Sequence, residues 1–170
     1  MQLLVRPHPA NVNIYEQLAG ENISVWPKGR NAIDTDDFRQ GFYNSLLYCV
    51  ATVGINTTGM IDAVINDRPG ITIMTETYRK TQMEAVHFRQ LLKADVLEVA
   101  SSVDECIEIV RRIQQGGDNK HDLRQRFVYD YIRPYGLDRP AGEVVAHAIE
   151  LAGMGIPAKN IQIILKEKPV

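Results

Sequence analysis

Hydrophobic residues along the chain form two alternating kinds of segment. Short apolar runs bounded by Pro, Gly or Asn are typical of buried strands, whereas apolar residues that recur every three or four positions predict amphipathic helices. The predicted strands cover residues 3–5, 23–26, 50–55, 71–74 and 96–99. Strands that alternate with helices in this way predict a parallel sheet with right-handed crossover connections.

The predicted helices lie between and after these strands. They cover residues 11–18, 35–47, 58–66, 81–92, 101–113, 120–132 and 140–151, and residues 101–105 have the pattern of a capping box. Residues 161–165 are apolar and fit either a helix or a strand. We therefore expect an α/β fold with a single doubly wound, Rossmann-like domain over residues 1–152, a mostly parallel sheet, and a helical C-terminal tail over residues 153–170.

Composition and charge argue against several kinds of partner and against a position within a membrane. The 170 residues are enough for one domain with a sizeable core, and the net charge of −2 gives no electrostatic footprint for a nucleic acid. Cys49 and Cys106 lie far apart and in no CxxC pair, so neither a zinc site nor a disulfide is indicated. No apolar run is long enough to span a bilayer, and the N-terminus lacks a signal-peptide pattern, so we expect a cytoplasmic protein that is not transmembrane.

Two segments follow predicted strands at the sheet edge where α/β proteins bind ligands. One is "RPHP" at residues 6–9, and the other is the polar group Asn56, Thr57, Thr58 and Gly59. Taken alone, the second segment is explained by a helix N-cap, which stabilises a helix by about 1 kcal/mol. Its position beyond a strand end and opposite "RPHP" favours a phosphate pocket, in which hydroxyls and N–H groups at a helix start would donate hydrogen bonds.

Four further residues are candidates for contacts in such a pocket. His8, held between two prolines, is placed to donate to a phosphate oxygen, and Arg6 can reach an anion or pair with a carboxylate elsewhere. Asp62 lies one helical turn after Thr58, where a carboxylate suits ribose hydroxyls or complements the helix dipole. Gln82 follows the fourth strand and is either a donor or acceptor contact or an ordinary first-turn residue.

Familiar catalytic and metal-binding motifs are missing from the sequence. The chain has no Walker A motif, no GxGxxG after the first strand, no HExxH, no GxSxG and no spaced acidic set for a metal. We therefore predict no metal site and assign no catalytic residue.

Four sequence segments, in their order along the chain, are similar to the motifs of a known family. They are "RPHP" at 6–9, "GINTTGMIDAVINDRPGITI" at 54–73, "TQMEAVHF" at 81–88 and "YDYIRPYGLDRPA" at 129–141. Over residues 3–152 the chain resembles the C-terminal nucleotide-binding domain of GT-B glycosyltransferases, closest to the capsule-polysaccharide and teichoic-acid glycerophosphotransferase type. The family patterns are K/R-x-HP, then G-x-N/S-S/T-S/T-x-x-x-E-A followed by G-x-P, and later F-I-x-P-x-G.

The resemblance implies one half of a GT-B fold that binds a nucleotide-sugar or CDP-polyol donor as substrate, with no separate cofactor. It implies phosphate contacts from His8, Thr57 and Thr58 and a ribose contact from Asp62, where family members usually have Glu. The function implied is donor binding in surface-polysaccharide biosynthesis. The acceptor would come from an N-terminal Rossmann-like domain or a partner chain, without which the isolated chain is expected to be inactive.

The same resemblance implies that the chain is an expressed fragment, a split gene product or a lone domain. As part of a full enzyme it would work in the cytoplasm, at the inner face of the membrane. Two alternatives stay open. One is a nucleotide-sugar 2-epimerase-like domain, although Asp62 and Ala63 stand where those relatives have two glutamates. The other is a non-catalytic Rossmann-like binding module.

Overall fold

The computed structural model describes residues 1–8, 11–28 and 35–167 of the chain. These residues form an α/β structure with parallel strands, which confirms the α/β part of the predicted fold class. Each predicted strand overlaps an observed one. The strands are β1 (Leu3–Val5), β2 (Ile23–Val25), β3 (Thr52–Gly54), β4 (Gly70–Ile73) and β5 (Leu97–Ala100).

Helices connect and follow the strands. They are α1 (Val12–Tyr15), which continues into a 3-10 turn at Glu16–Leu18, α2 (Asp36–Tyr48), α3 (Gly59–Ile65), α4 (Arg79–Glu84), α5 (Val86–Lys93), α6 (Val103–Gln114), α7 (His121–Phe127), which runs into a π-helical turn at Val128–Ile132, α8 (Ala141–Gly153) and α9 (Ala158–Glu167). The helix predicted over 81–92 is instead two helices, because Ala85 has extended backbone angles. The tail segment at 161–165 lies in a helix.

The capping box predicted before α6 is confirmed. The Ser102 hydroxyl accepts a hydrogen bond from the Glu105 N–H at 3.1 Å. The Glu105 carboxylate accepts from the Ser101 N–H and hydroxyl at 2.7 and 2.6 Å. These hydrogen bonds hold the pKa of Glu105 below its usual range. The reciprocal bond therefore reaches Ser101, one residue before the N-cap, and fixes the chain where it leaves β5.

The strands form two parallel sheets rather than the single sheet that the sequence predicts. β1 pairs with β2, and β3, β4 and β5 pair in that order. In the parts of the chain that the structure describes, no ladder joins the two sheets. Leu3 and Leu4 of β1 are 52% and 44% exposed, so this strand is not of the buried type that its apolar run predicts. A two-stranded sheet has too few neighbours to cover its side chains.

Helices cover both faces of the β3–β4–β5 sheet. Leu97 packs with Phe88 and other buried residues of α3, α5 and α7, whereas Ile71 packs with Ile113 and other residues of α6 on the opposite face. The first residue of β4 is Gly70. A Cβ atom at this position would lie only 2.7 Å from the Leu97 Cδ2 atom, so the packing of Leu97 favours glycine here. This layered core fixes the strand ends and the loops that follow them.

A cluster of charges closes the amino-terminal edge of the same sheet. Arg124, which is 1% exposed, donates to Asp67 at 2.8 Å and to Asp118 through two nitrogens at 3.0 and 2.5 Å. His121 lies 2.6 Å from the second Asp67 oxygen. Hydrogen bonds from Arg124 hold the pKa of Asp118 below its usual range despite partial burial. Burial opposes the charge on Arg124, but the two carboxylates outweigh it and raise the pKa of that group.

The C-terminal helices α8 and α9 pack against each other. Val144 and Leu165 are buried, and Arg139 donates a hydrogen bond to the Leu165 carbonyl. Among the described residues, no helix has both the length and the apolar character needed to cross a membrane.

Candidate functional site

The carboxyl ends of β3, β4 and β5 lie along one edge of the three-stranded sheet. The register that pairs Gly54 with Thr72 and Thr72 with Val99 brings these ends level with one another. Asn56, Thr57, Thr58 and Gly59 come one residue after the end of β3, so four of the predicted site residues lie at this edge. It is the edge at which α/β sheets bind ligands.

The β3–α3 loop, residues 55–58, presents donors that α3 does not use. The Gly59 N–H donates to the Thr57 hydroxyl at 3.3 Å, and the Met60 N–H donates to the Thr57 carbonyl at 3.0 Å. Thr58 is the N-cap residue, but its side chain makes no capping hydrogen bond. Within the described parts of the chain, the N–H groups of Thr57 and Thr58 have no acceptor. The N–H groups without an acceptor are therefore those of Thr57 and Thr58 in the loop, because the N–H groups of the first turn of α3 already have acceptors.

Asn56 is fixed on both sides of its amide. Its Nδ2 donates to the Thr81 carbonyl at 2.9 Å, and its Oδ1 lies 3.1 Å from the His87 Nε2. The side chain therefore faces α4 and α5 and ties the loop to them. Its expected contact with a phosphate stays a prediction.

Gln82 lies inside the protein. Its side chain is completely buried, and Nε2 is within hydrogen-bond distance of the Ile55 carbonyl, the Ile73 carbonyl and the Thr72 hydroxyl. Its Oε1 is buried and has no partner among the described residues. A direct contact with a donor or acceptor molecule stays a prediction, and such a contact would need a rearrangement of this packing.

Asp62 lies on α3, one turn after Thr58, and is half-buried. Burial raises the pKa of its carboxyl group. In the described residues no hydrogen bond or ion pair compensates that carboxylate. An acidic group that is partly desolvated and unpaired near a strand edge is the kind of residue that functional sites contain.

Arg6 and His8 lie at the end of β1, in the other sheet. Arg6 Nη1 donates to the Gly41 carbonyl and the Ser45 hydroxyl of α2, at 3.0 and 2.8 Å. Its guanidinium carbon lies 5.4 Å from the ring centre of Phe42, a geometry that suits a cation–π contact. Burial lowers the pKa of Arg6. Arg6 is therefore bound to α2, whereas His8 is exposed at the strand end.

One aromatic ring connects the two predicted segments. Phe42, which packs under Arg6, has its Cζ atom 4.0 Å from the point where a Cβ on Gly59 would lie. The end of β1 and the start of α3 thus approach each other across α2. The structure gives this indirect link, and the roles of Arg6 and His8 toward an anion stay predictions.

A cleft of about 430 Å³ opens at the ends of β4 and β5. It is lined by Met74, Thr75, Glu76, Arg79 and Ser101. Arg79 and Glu76 form an ion pair of 2.8 Å in which both side chains are mostly exposed. From the loop after the fourth strand, sequence reasoning selects Gln82 and misses Thr75, Glu76 and Arg79, although these residues follow the end of that strand. Ser101 likewise follows the end of β5.

The site can donate hydrogen bonds and present carboxylates, and it offers no assembled nucleophile and base. Among the residues the structure describes, no group of three or more His, Cys, Asp and Glu side chains is arranged to hold a metal ion. Unpaired N–H groups and hydroxyls of this kind can donate hydrogen bonds to a polar or anionic group. Comparison of the chain with family models, with curated proteins and with solved structures finds no match.

Proposed function

We propose that the carboxyl edge of the β3–β4–β5 sheet binds the phosphate groups of a nucleotide-activated sugar or polyol. In this proposal the chain is the donor-binding half of a glycosyltransferase-type enzyme of surface-polysaccharide biosynthesis. One observation carries it. Thr57 and Thr58 are exposed, and their two consecutive N–H groups have no acceptor among the described residues.

Phosphate oxygens accept several hydrogen bonds at once, and successive N–H groups in a loop form a concave anion-binding surface. The Thr58 hydroxyl is not used as a cap, so it adds a donor at the same place. Gly59 has no side chain of its own, and the Thr57 hydroxyl and Phe42 lie 3.7 and 4.0 Å from the position that a Cβ would occupy there. During transfer, negative charge develops on the departing nucleotide phosphate, and fixed donors aimed at that charge stabilise the transition state.

Asp62 supports the nucleotide part of the proposal. It lies on the same face of α3 as Thr58, because residues four apart on a helix are neighbours. A carboxylate at this distance from a phosphate-binding loop can accept hydrogen bonds from ribose hydroxyls. His8 is proposed as a further phosphate donor, while the contacts of Arg6 with α2 make Arg6 a weaker candidate.

The proposal gives this chain no catalytic base. The acceptor and the group that activates it are assigned to a second domain or a partner chain. An assay of transfer activity is therefore not suitable for the chain alone. The suitable assay measures binding of the nucleotide part of the donor.

Calorimetric titration of UDP, CDP and CMP tests the proposal. We expect the wild-type chain to bind at least one of them and the Thr57→Ala/Thr58→Ala variant to bind it at least about tenfold more weakly, since hydrogen bonds to charged groups are worth about 1.5–3 kcal/mol. Ser24→Ala, which removes an exposed hydroxyl on β2, is the matched control and should bind like wild type. If no nucleotide binds, the proposal is wrong. If the double variant binds as tightly as wild type, the hydroxyls are not the donors, and Thr58→Pro, which removes one of the two N–H groups at a φ of −60° that proline accepts, should weaken binding instead. Unchanged binding by that variant as well contradicts the proposal.

A further inference from the structure

We propose that Gln82 is a positioning residue for the β3–α3 loop, and that its buried amide holds the loop so that Thr57 and Thr58 keep their donors in a fixed arrangement. This inference rests on the proposed function, because it assigns to that loop the binding of phosphate. It differs from the expectation that Gln82 itself touches a ligand.

The hydrogen-bond geometry fixes which way the Gln82 amide points. Its Nε2 lies 3.0 Å from the carbonyl oxygens of both Ile55 and Ile73 and 3.2 Å from the Thr72 hydroxyl. The Thr72 hydroxyl donates to the Ile55 carbonyl at 2.9 Å, so its oxygen is left to accept. Rotating the amide by 180° would set Oε1 against two carbonyl oxygens, so only Nε2 fits here.

These bonds join the first residue of the loop to the middle strand of the sheet. Ile55 comes directly after β3, where the ladder with β4 has ended. Gln82 binds its carbonyl and the carbonyl of Ile73 at the end of β4 together. Through Gln82, α4 therefore sets the direction in which the chain leaves β3 and enters residues 56–58.

The next residue of the loop is held by the same segment. Asn56 Nδ2 donates to the Thr81 carbonyl, which leaves Oδ1 to accept from His87. His87 Nε2 must then carry a proton. Two successive loop residues, Ile55 and Asn56, are thus bound by residues 81–87, while Thr57 and Thr58 are exposed.

Burial separates a positioning role from a ligand contact. Gln82 is 0% exposed, and its unpartnered Oε1 is buried as well. A ligand at the sheet edge therefore meets the loop and not the amide. Loss of the amide would act on a ligand only through a change in the loop.

The test uses Gln82→Met, which keeps the length and apolar volume of the side chain but removes its donor. We expect Gln82→Met to bind UDP at least about tenfold more weakly, a loss typical of residues that orient a binding group. We also expect faster amide hydrogen exchange at residues 56–60, with little change in β5. Ile113→Val, a small core deletion on the opposite face of the sheet, is the control for stability and should leave UDP binding unchanged.

Two measurements keep this inference separate from the proposed function. If wild type binds no nucleotide, the proposed function fails, while exchange at residues 56–60 still decides whether Gln82 holds the loop. A folded Gln82→Met that matches wild type in both binding and exchange overturns the inference. Should Gln82→Met not fold, Gln82→Asn replaces it, because it keeps an amide at the buried position but withdraws the donor by one methylene from the Ile55 and Ile73 carbonyls. Faster exchange at residues 56–60 in this variant supports the inference, and unchanged exchange overturns it.

Discussion

At the scale of single residues, the Asp62 carboxylate is expected to lower the stability of the fold and to strengthen nucleotide binding. Burial raises the pKa of its carboxyl group, so the fold favours the neutral form and opposes the charged one. The unfavourable contribution is present at pH values above the raised folded-state pKa, and it disappears as pH falls through that pKa. We therefore expect Asp62→Asn to increase the free energy of unfolding at pH 7 and to weaken nucleotide binding. Denaturant unfolding and UDP titration measure the two effects.

The pH dependence provides the check on this interpretation. The stability advantage of Asp62→Asn should narrow as the pH is lowered, because the wild-type carboxyl becomes neutral. Asp122→Asn, an exposed substitution in the first turn of α7, loses the same helix-dipole contribution without a change in burial, so stability should change by less than about 1 kcal/mol and binding not at all. A less stable Asp62→Asn at neutral pH would mean that the carboxylate has a stabilising partner and would contradict the argument.

The sequence predicts the positions of some residues at this site and not of others. Thr57 and Thr58 follow a strand and precede a glycine, a local pattern that is enough to place them at the sheet edge. Gln82 is polar yet completely buried, and hydropathy alone suggests a surface position. Its burial depends on Ile55 and Ile73, which are distant in sequence. A buried polar residue of this kind becomes visible only when the tertiary partners of its amide are known.

At the scale of elements, the same distinction holds. The strands and the capped start of α6 follow from local signals, namely apolar runs and the Ser-x-x-Glu pattern. The break between α4 and α5 does not. Ala85 is a good helix former, yet its backbone is extended, and on either side of it Gln82 and His87 reach toward the β3–α3 loop. Tertiary contacts therefore override helix propensity at this position.

The charged cluster at the amino edge gives a prediction about α7. The pKa of Asp118 is held low by Arg124, so its stabilising contribution is fully present above the unfolded-state value of about 3.9. That contribution is lost as pH falls through the depressed folded-state pKa. Asp118→Asn should lower the free energy of unfolding at pH 7 by about 1.5–3 kcal/mol, because hydrogen bonds to a buried charge are lost.

Acid titration of unfolding distinguishes this cluster from a general charge effect. Below about pH 4 the stability of Asp118→Asn should fall less steeply than that of wild type, since one linked proton is removed. Arg124→Leu should cost more, about 3–5 kcal/mol at pH 7, because it leaves two carboxylates without their buried partner. Equal acid slopes for wild type and Asp118→Asn would show that the cluster does not control this transition.

At the scale of the whole molecule, the division into two sheets is the feature that the sequence does not predict. Alternating strands and helices favour parallel pairing, which both sheets have, but the pattern contains no information on which strands are neighbours. Both core clusters are built from residues 51–132, and neither includes a residue of β1 or β2. The half-exposed leucines of β1 agree with this division, since a strand outside the main core keeps part of its apolar surface in water.

This division predicts unequal local stability. Amide groups of β1 and β2 should exchange with solvent faster than those of β4 and β5, because local opening is easiest where few apolar contacts are broken. Arg6 is the main described link from β1 to α2, through its bonds to Gly41 and Ser45. Arg6→Met should therefore speed exchange in β1 and β2 and leave β4 and β5 unchanged. Hydrogen exchange followed by mass spectrometry measures both sheets in one experiment.

Arg39→Met is the matched control, because Arg39 lies on the same helix α2 in an exposed ion pair with Asp36. Exposed pairs of this kind contribute about 0–1 kcal/mol, so exchange in either sheet should hardly change. If both sheets exchange at the same rate, and Arg6→Met speeds both equally, the molecule opens as one cooperative unit and the two-sheet division has no energetic consequence. If only β1 and β2 respond, a ligand that contacts His8 and Thr57 together would have to bridge a stable sheet and a more labile one, and its binding should slow exchange in β1.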